Sequence, residues 1–125
     1  MHQVIFWISL VNVLFFFLHE FDAFKRGEWK MMAFLRKLKD EQQYLVFLYA
    51  HVPLTIFMFY YVWTVFASSN FVLWLVVNIL WVLHLLLHLV ATKWKSNVFT
   101  SRHSFMFIAG AAITGVANLC LAGYY

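Results

Sequence analysis

The sequence predicts an all-α protein, a four-helix transmembrane bundle with a short amphipathic interfacial helix between the first two spans. Three observations predict it. The 125 residues are 65% hydrophobic and only 11% charged, more apolar surface than a soluble domain of this size can hide. Four apolar runs approach the roughly 20 helical residues that a hydrocarbon core about 30 Å thick requires. The runs are long and continuous and lack period-two alternation, which selects helix over strand.

The first span covers about residues 4–19, short alone but able to continue helically through His19. It lacks the basic region and small-residue cleavage pattern of a secretory signal, so it is expected to remain as a span. The second covers about 44–67 and contains Pro53, which prevents one backbone hydrogen bond near His51. The third covers about 71–91 and the fourth about 104–125. Between spans one and two, residues 28–39 intersperse Trp29, Met31, Met32, Phe34, Leu35 and Leu38 with Lys30, Arg36, Lys37 and Lys39. That pattern predicts a short helix at the headgroup boundary. No internal repeat is visible, and residues 1–125 read as a single integral membrane domain. Cys120, the one cysteine, is expected as a small buried packing residue.

Charge fixes the expected topology. Residues 20–43 carry all five acids and six of the nine basic residues, and residues 92–103 carry the other three. The link Ser68-Ser69-Asn70 carries none. The positive-inside rule therefore puts the charged loops in the cytoplasm and both termini outside, in a membrane expected to be the bacterial inner membrane. The net charge of +4 serves topology and anionic lipid headgroups, not nucleic acid.

Each span offers one weakly polar face. Ser9, Asn12, His19 and Asp22 share a face of span one, and His51 and Thr55 lie one turn apart in span two. Trp81, His84 and His88 share a stripe of span three with Asn78 at its edge, and Gly110, Thr114 and Asn118 align in span four. The three asparagines are expected to hydrogen-bond between helices. Five of the six histidines fall at the charged end of the spans. At 1.5 Å per residue, His51 and His84 sit about 10 Å inside that boundary. His88 is one turn shallower, and His19 and His103 lie at the boundary itself. Ionisable groups at such depth are costly unless paired, ligated or hydrated.

Imidazole and carboxylate together suit zinc, iron or manganese better than calcium. The candidate metal ligands are His19, Asp22, His51, His84, His88 and His103, with Glu20 and Glu28 as candidate catalytic bases. The favoured reading is a cytoplasmic-leaflet metal site, binding zinc or iron, of a metalloenzyme acting on a lipidic substrate. A first alternative is a b-type haem electron carrier with His51 and His84 as axial ligands. A second is a non-enzymatic subunit or proton pathway of a larger complex. Ala111-x-x-x-Gly115 beside Gly110 is a small-residue pattern that permits close helix approach. It could serve the bundle, a homo-oligomer or a larger membrane complex.

Leu18-His19-Glu20-Phe21-Asp22-Ala23, Glu28-Trp29, His51-Val52-Pro53-Leu54 and the span-three histidines together resemble the HXXEE-type family of small bacterial multi-pass membrane proteins. Here His-Glu-x-Asp stands in place of the Glu-Glu pair. The resemblance implies a polytopic membrane protein with motif positions His19, Glu20, Asp22, Glu28 and His51, and no established activity.

Overall fold

The computed structural model describes residues 1–94 and 100–125. Four helices, α1 (His2–Arg26), α2 (Asp40–Phe66), α3 (Phe71–Ala91) and α4 (Arg102–Cys120), make an all-α bundle, and no strand occurs among the described residues. All four are long and apolar enough to cross a membrane. α1 and α2 run further toward the charged end than their apolar cores suggest, so His19, Glu20 and Asp22 are helical residues.

Local chemistry sets the helix ends. α1 stops at Gly27, whose φ of 70° lies in the left-handed region, and its N–H caps carbonyls of the last turn. α2 begins with Asp40 and Glu41, acids placed against the positive end of the helix dipole. The Asn70 side chain accepts from the Leu73 N–H at 2.9 Å to start α3, and the Ser101 hydroxyl accepts from the Ser104 N–H at 3.2 Å to start α4. The α1–α2 connector is not the expected helix. It folds as two 3-10 turns, Glu28–Met31 and Ala33–Leu35. Glu28, Met31 and Leu35 point inward, and Met31 packs with Ala91 of α3 and Ile108 of α4. The connector therefore folds up beneath the bundle, because Met31 and Leu35 find the helix ends, while Phe34 still faces outward at 76% exposed.

Polarity is inverted relative to a soluble bundle. Ile56, Val72 and Ile113 are 65%, 67% and 69% exposed, while Ser9, Asn12, Asn78 and Asn118 are buried. Lipid solvates the first set, and helix-to-helix hydrogen bonds satisfy the second. The Asn118 amide donates to Ser9 Oγ at 2.9 Å and to Asn78 Oδ1 at 3.0 Å. Asn78 donates to the Tyr61 hydroxyl at 3.3 Å and Asn12 to the Ala111 carbonyl at 3.1 Å. One polar layer thereby ties all four helices.

The small-residue face of α4 is used inside the protomer. A Cβ on Gly110 would fall 2.9 Å from the Phe15 ring, and one on Gly115 would fall 3.1 Å from the Asn78 carbonyl. Of the uses the sequence leaves open for this face, packing within the bundle against α1 and α3 is the one seen. Cys120, expected to be buried, is exposed where α4 ends. α1 and α4 pack most closely, followed by α3 and α4, and α2 is the least engaged helix.

His2 meets Ser68 at 3.0 Å and Tyr125 donates to the Thr64 carbonyl at 3.3 Å, so both chain ends and the α2–α3 turn share one end of the bundle. The charged connector occupies the other. Gly115→Leu should cost about 1–3 kcal/mol through overpacking, and Asn118→Leu about 1–2 kcal/mol through lost interhelical bonds. Thermal unfolding in detergent should show both losses, while Val116→Leu on the lipid-facing side should leave the midpoint unchanged.

Candidate metal centre

At the connector end of the bundle, three imidazoles from two helices converge. His19 comes from α1, and His84 and His88 come from successive turns of α3. One ligand nitrogen from each lies within 4.8 Å of the others. The ring centroids are 5.2 Å (His19–His84), 5.0 Å (His19–His88) and 4.7 Å (His84–His88) apart. A tetrahedral zinc with Zn–N of about 2.0–2.1 Å sets its ligand nitrogens roughly 3.4 Å apart. The rings need to draw in by about 1–1.5 Å to hold one.

The supports of this triad follow from helix geometry. His19 is fixed by a 2.6 Å hydrogen bond between its Nδ1 and Ser104 Oγ. If Nδ1 carries the proton and donates to the hydroxyl, Nε2 becomes the ligating nitrogen. Glu20 stands beside the triad, its Oε1 4.0 Å from His19 Nε2. Its other oxygen, Oε2, lies 2.7 Å from His51 Nε2, and His51 Nδ1 lies 2.6 Å from the Phe47 carbonyl. A carbonyl only accepts, so His51 Nδ1–H donates to it, and the remaining proton of the pair sits between His51 and Glu20. Phe24 and Phe47 close around the His51 ring at 4.7 and 4.4 Å. His84 Nε2 is buried without a hydrogen-bond partner among the described residues.

A cavity of about 730 Å³ lies below the triad, lined by His19, Glu20, Glu28, His84 and His88 and roofed by Met31 and its neighbours. Ala23 and Ala91 leave room for it, since a larger side chain at either position would fill the space. Glu28 Oε1 is buried and finds no partner among the described residues.

The predicted site residues divide clearly. His19, His84 and His88 come together, with Glu20 beside them. His51 faces Glu20 from α2, with both ring nitrogens already engaged, so it is not presented with His84 as the expected haem pair. Asp22 turns toward Arg26, 3.8 Å away. His103 lies exposed on the outer flank of α4. The Ser101 cap sets the start of α4 so that Ser104 faces the core, and one residue is a rotation of about 100°. Ser104 was not anticipated, although the Ser101-x-x-Ser104 cap beside His103 was its visible signal. Lys95, part of the basic cluster in the α3–α4 link, lies outside the described residues.

Burial pushes the Glu28 carboxyl up to about 7, with Glu20 and Asp22 adding to the shift and Arg26 opposing it. Its ordinary value is 4.5. The folded protein therefore holds this proton more tightly than the unfolded chain, and stability falls as pH rises from about 4.5 through about 7. Glu28→Gln in metal-free protein should remove that fall. The gain at pH 8 is at most about 3 kcal/mol and is absent at pH 4. Thermal melts across this pH range measure it.

No curated protein and no solved structure matches the chain. A family model does, over residues 5–125, described as a family of unknown function, DUF6713. The uncharacterised status expected from the sequence resemblance holds, but the match is not to the HXXEE designation. An integral four-helix bundle with a partly buried histidine triad that could hold a metal, the chain belongs to the DUF6713 family of unknown function.

Proposed function

We propose that this protein binds a divalent transition metal, zinc or iron, through His19, His84 and His88, and that the metal serves a reaction on a membrane lipid. One observation carries the proposal. Three imidazoles from two helices lie within 4.8 Å of one another inside an apolar bundle, with a carboxylate adjacent. A structural role for one histidine needs one partner, whereas three converging rings cost desolvation three times over. A shared cation would recover that cost.

Glu20 would sit at the edge of the ligand sphere, positioned by His51. Glu28, buried in the cavity wall with an unpartnered oxygen, has the placement of a general base. The metal would activate water or polarise a substrate oxygen. Asp22 and His103 are left out of the ligand set. The charged connector end carries Lys25, Arg26, Lys30, Arg36 and Lys37, so the site is assigned to the cytoplasmic leaflet of a bacterial inner membrane, with both termini outside.

Purified protein stripped with chelator and reloaded should retain about one zinc or iron per chain by elemental analysis. His84→Ala and His88→Ala should each lower metal affinity by about 10–100-fold or more, and His103→Ala should bind as wild type. Ser104→Ala should weaken affinity about tenfold through loss of the His19 hydrogen bond. A wild-type chain that retains no stoichiometric metal would refute the assignment.

A further inference from the structure

A second cavity, about 540 Å³, lies between α2 and α3 and meets the first at Glu20, His84 and Leu87. Its walls are Leu54, Phe57 and Met58 of α2 and Val77, Leu80 and Leu83 of α3. Three observations define what it can hold. Phe57, Leu80 and Leu83 are 37%, 50% and 51% exposed on the lipid-facing side of the bundle, so the cavity opens toward hydrocarbon. The walls are aliphatic and aromatic along their length, and the polar groups are Glu20, His84 and the Trp81 indole N–H, which is buried without a partner among the described residues. His84 Nε2 is buried there without a partner among the described residues.

The opening has a cause in the sequence. Between Phe47 and Met58, α2 buries no residue against the bundle. Pro53 sits in the middle of that stretch, and it cannot donate a hydrogen bond to the Tyr49 carbonyl. α2 is held above this stretch by Met58, Tyr61 and Val65, below it by Phe47, and within it only by the His51–Glu20 bond and the half-buried Leu54. What remains is a side window at mid-membrane, within the size range of ligand cavities.

We infer that this window admits one hydrocarbon chain of a membrane lipid, whose oxygen-bearing polar group reaches Glu20 and His84. Water is a poor occupant of the stretch walled by Leu54, Phe57, Met58, Val77, Leu80 and Leu83, whose side chains offer it no hydrogen bonds. A protein helix is too wide, at about 10 Å with its side chains, for a slot whose inner end is one carboxylate and one imidazole. A flexible chain enters such a slot and leaves its polar end at the polar groups of its lining. The inference rests on the metal reading for what that polar group meets, and not for the entry of the chain.

The probe is a long-chain fatty acid bearing a mid-chain diazirine, added to the full protein in phospholipid nanodiscs and irradiated. Adducts mapped by mass spectrometry should concentrate on residues 54–58 and 77–83 and be competed by excess unlabelled fatty acid. Leu83→Trp and, independently from the other wall, Leu54→Trp should each cut these adducts about tenfold, with metal content unchanged in the same samples. Adducts spread evenly over lipid-facing residues such as Trp7 and Ile113, without competition, would overturn the inference. So would unchanged labelling in both tryptophan variants, or an unlabelled window with a nanodisc mass of two chains. Metal content read on the wild-type samples separates a failure of the metal reading, in which zinc is absent and competed labelling persists, from a failure of chain entry.

Discussion

Glu20 is the residue on which the lower half of this bundle depends. A carboxylate inside a membrane protein is tolerable only when its charge is matched nearby. Here one oxygen is held by His51 of α2 at 2.7 Å and the other lies 4.0 Å from His19. The first contact ties down α2, the helix with the fewest other engagements. The second brings the carboxylate to the histidine triad. Removal of His51 would leave that carboxylate without its close partner in a place poorly able to hydrate it. One acid thus links the packing of a loose helix to the composition of a candidate ligand sphere.

The two polar layers of the bundle do different work. The upper layer, Ser9, Asn78, Asn118 and Tyr61, joins all four helices through its amides and hydroxyls, with Asn118 Oδ1 left over among the described residues. The lower layer leaves groups unsatisfied, His84 Nε2 and Glu28 Oε1 among them, and it borders both cavities. Membrane interiors favour complete pairing because unpaired polar groups have no water to fall back on. The lower layer combines unpaired groups with adjoining open space, and its imidazoles and carboxylates are donors of the kind a cation takes.

Much of the architecture was legible from hydropathy, because lipid imposes length and continuity on any segment that crosses it. The His84–His88 pair was also legible, since residues four apart share a helix face. Other features were not. The inward turn of residues 28–35 depends on Met31 finding Ala91 and Ile108, contacts no local pattern encodes. His103 and Ser104 differ by one residue and face opposite ways, a rotation set by where Ser101 caps α4. His51 belongs to Glu20, not to the triad, because α1 presents His19 and Glu20 to different neighbours. Depth along a helix is readable from sequence, whereas azimuth between helices is not.

The looseness of α2 then gains a physical explanation. A tightly closed four-helix bundle would seal the triad from the membrane and leave access only past the connector. Placing Pro53 in α2, with lipid-facing residues on either side, gives up packing over about three turns. The helix still holds through Tyr61 and Thr64 above and Phe47 below, with the His51–Glu20 bond as the tie within the stretch. The missing contacts cost stability, and they open the bundle beside its unsatisfied polar groups. With the connector Glu28–Leu35 bordering the site on one side and the gap between α2 and α3 on the other, the site has two approaches, and the second faces the hydrocarbon side of the bundle.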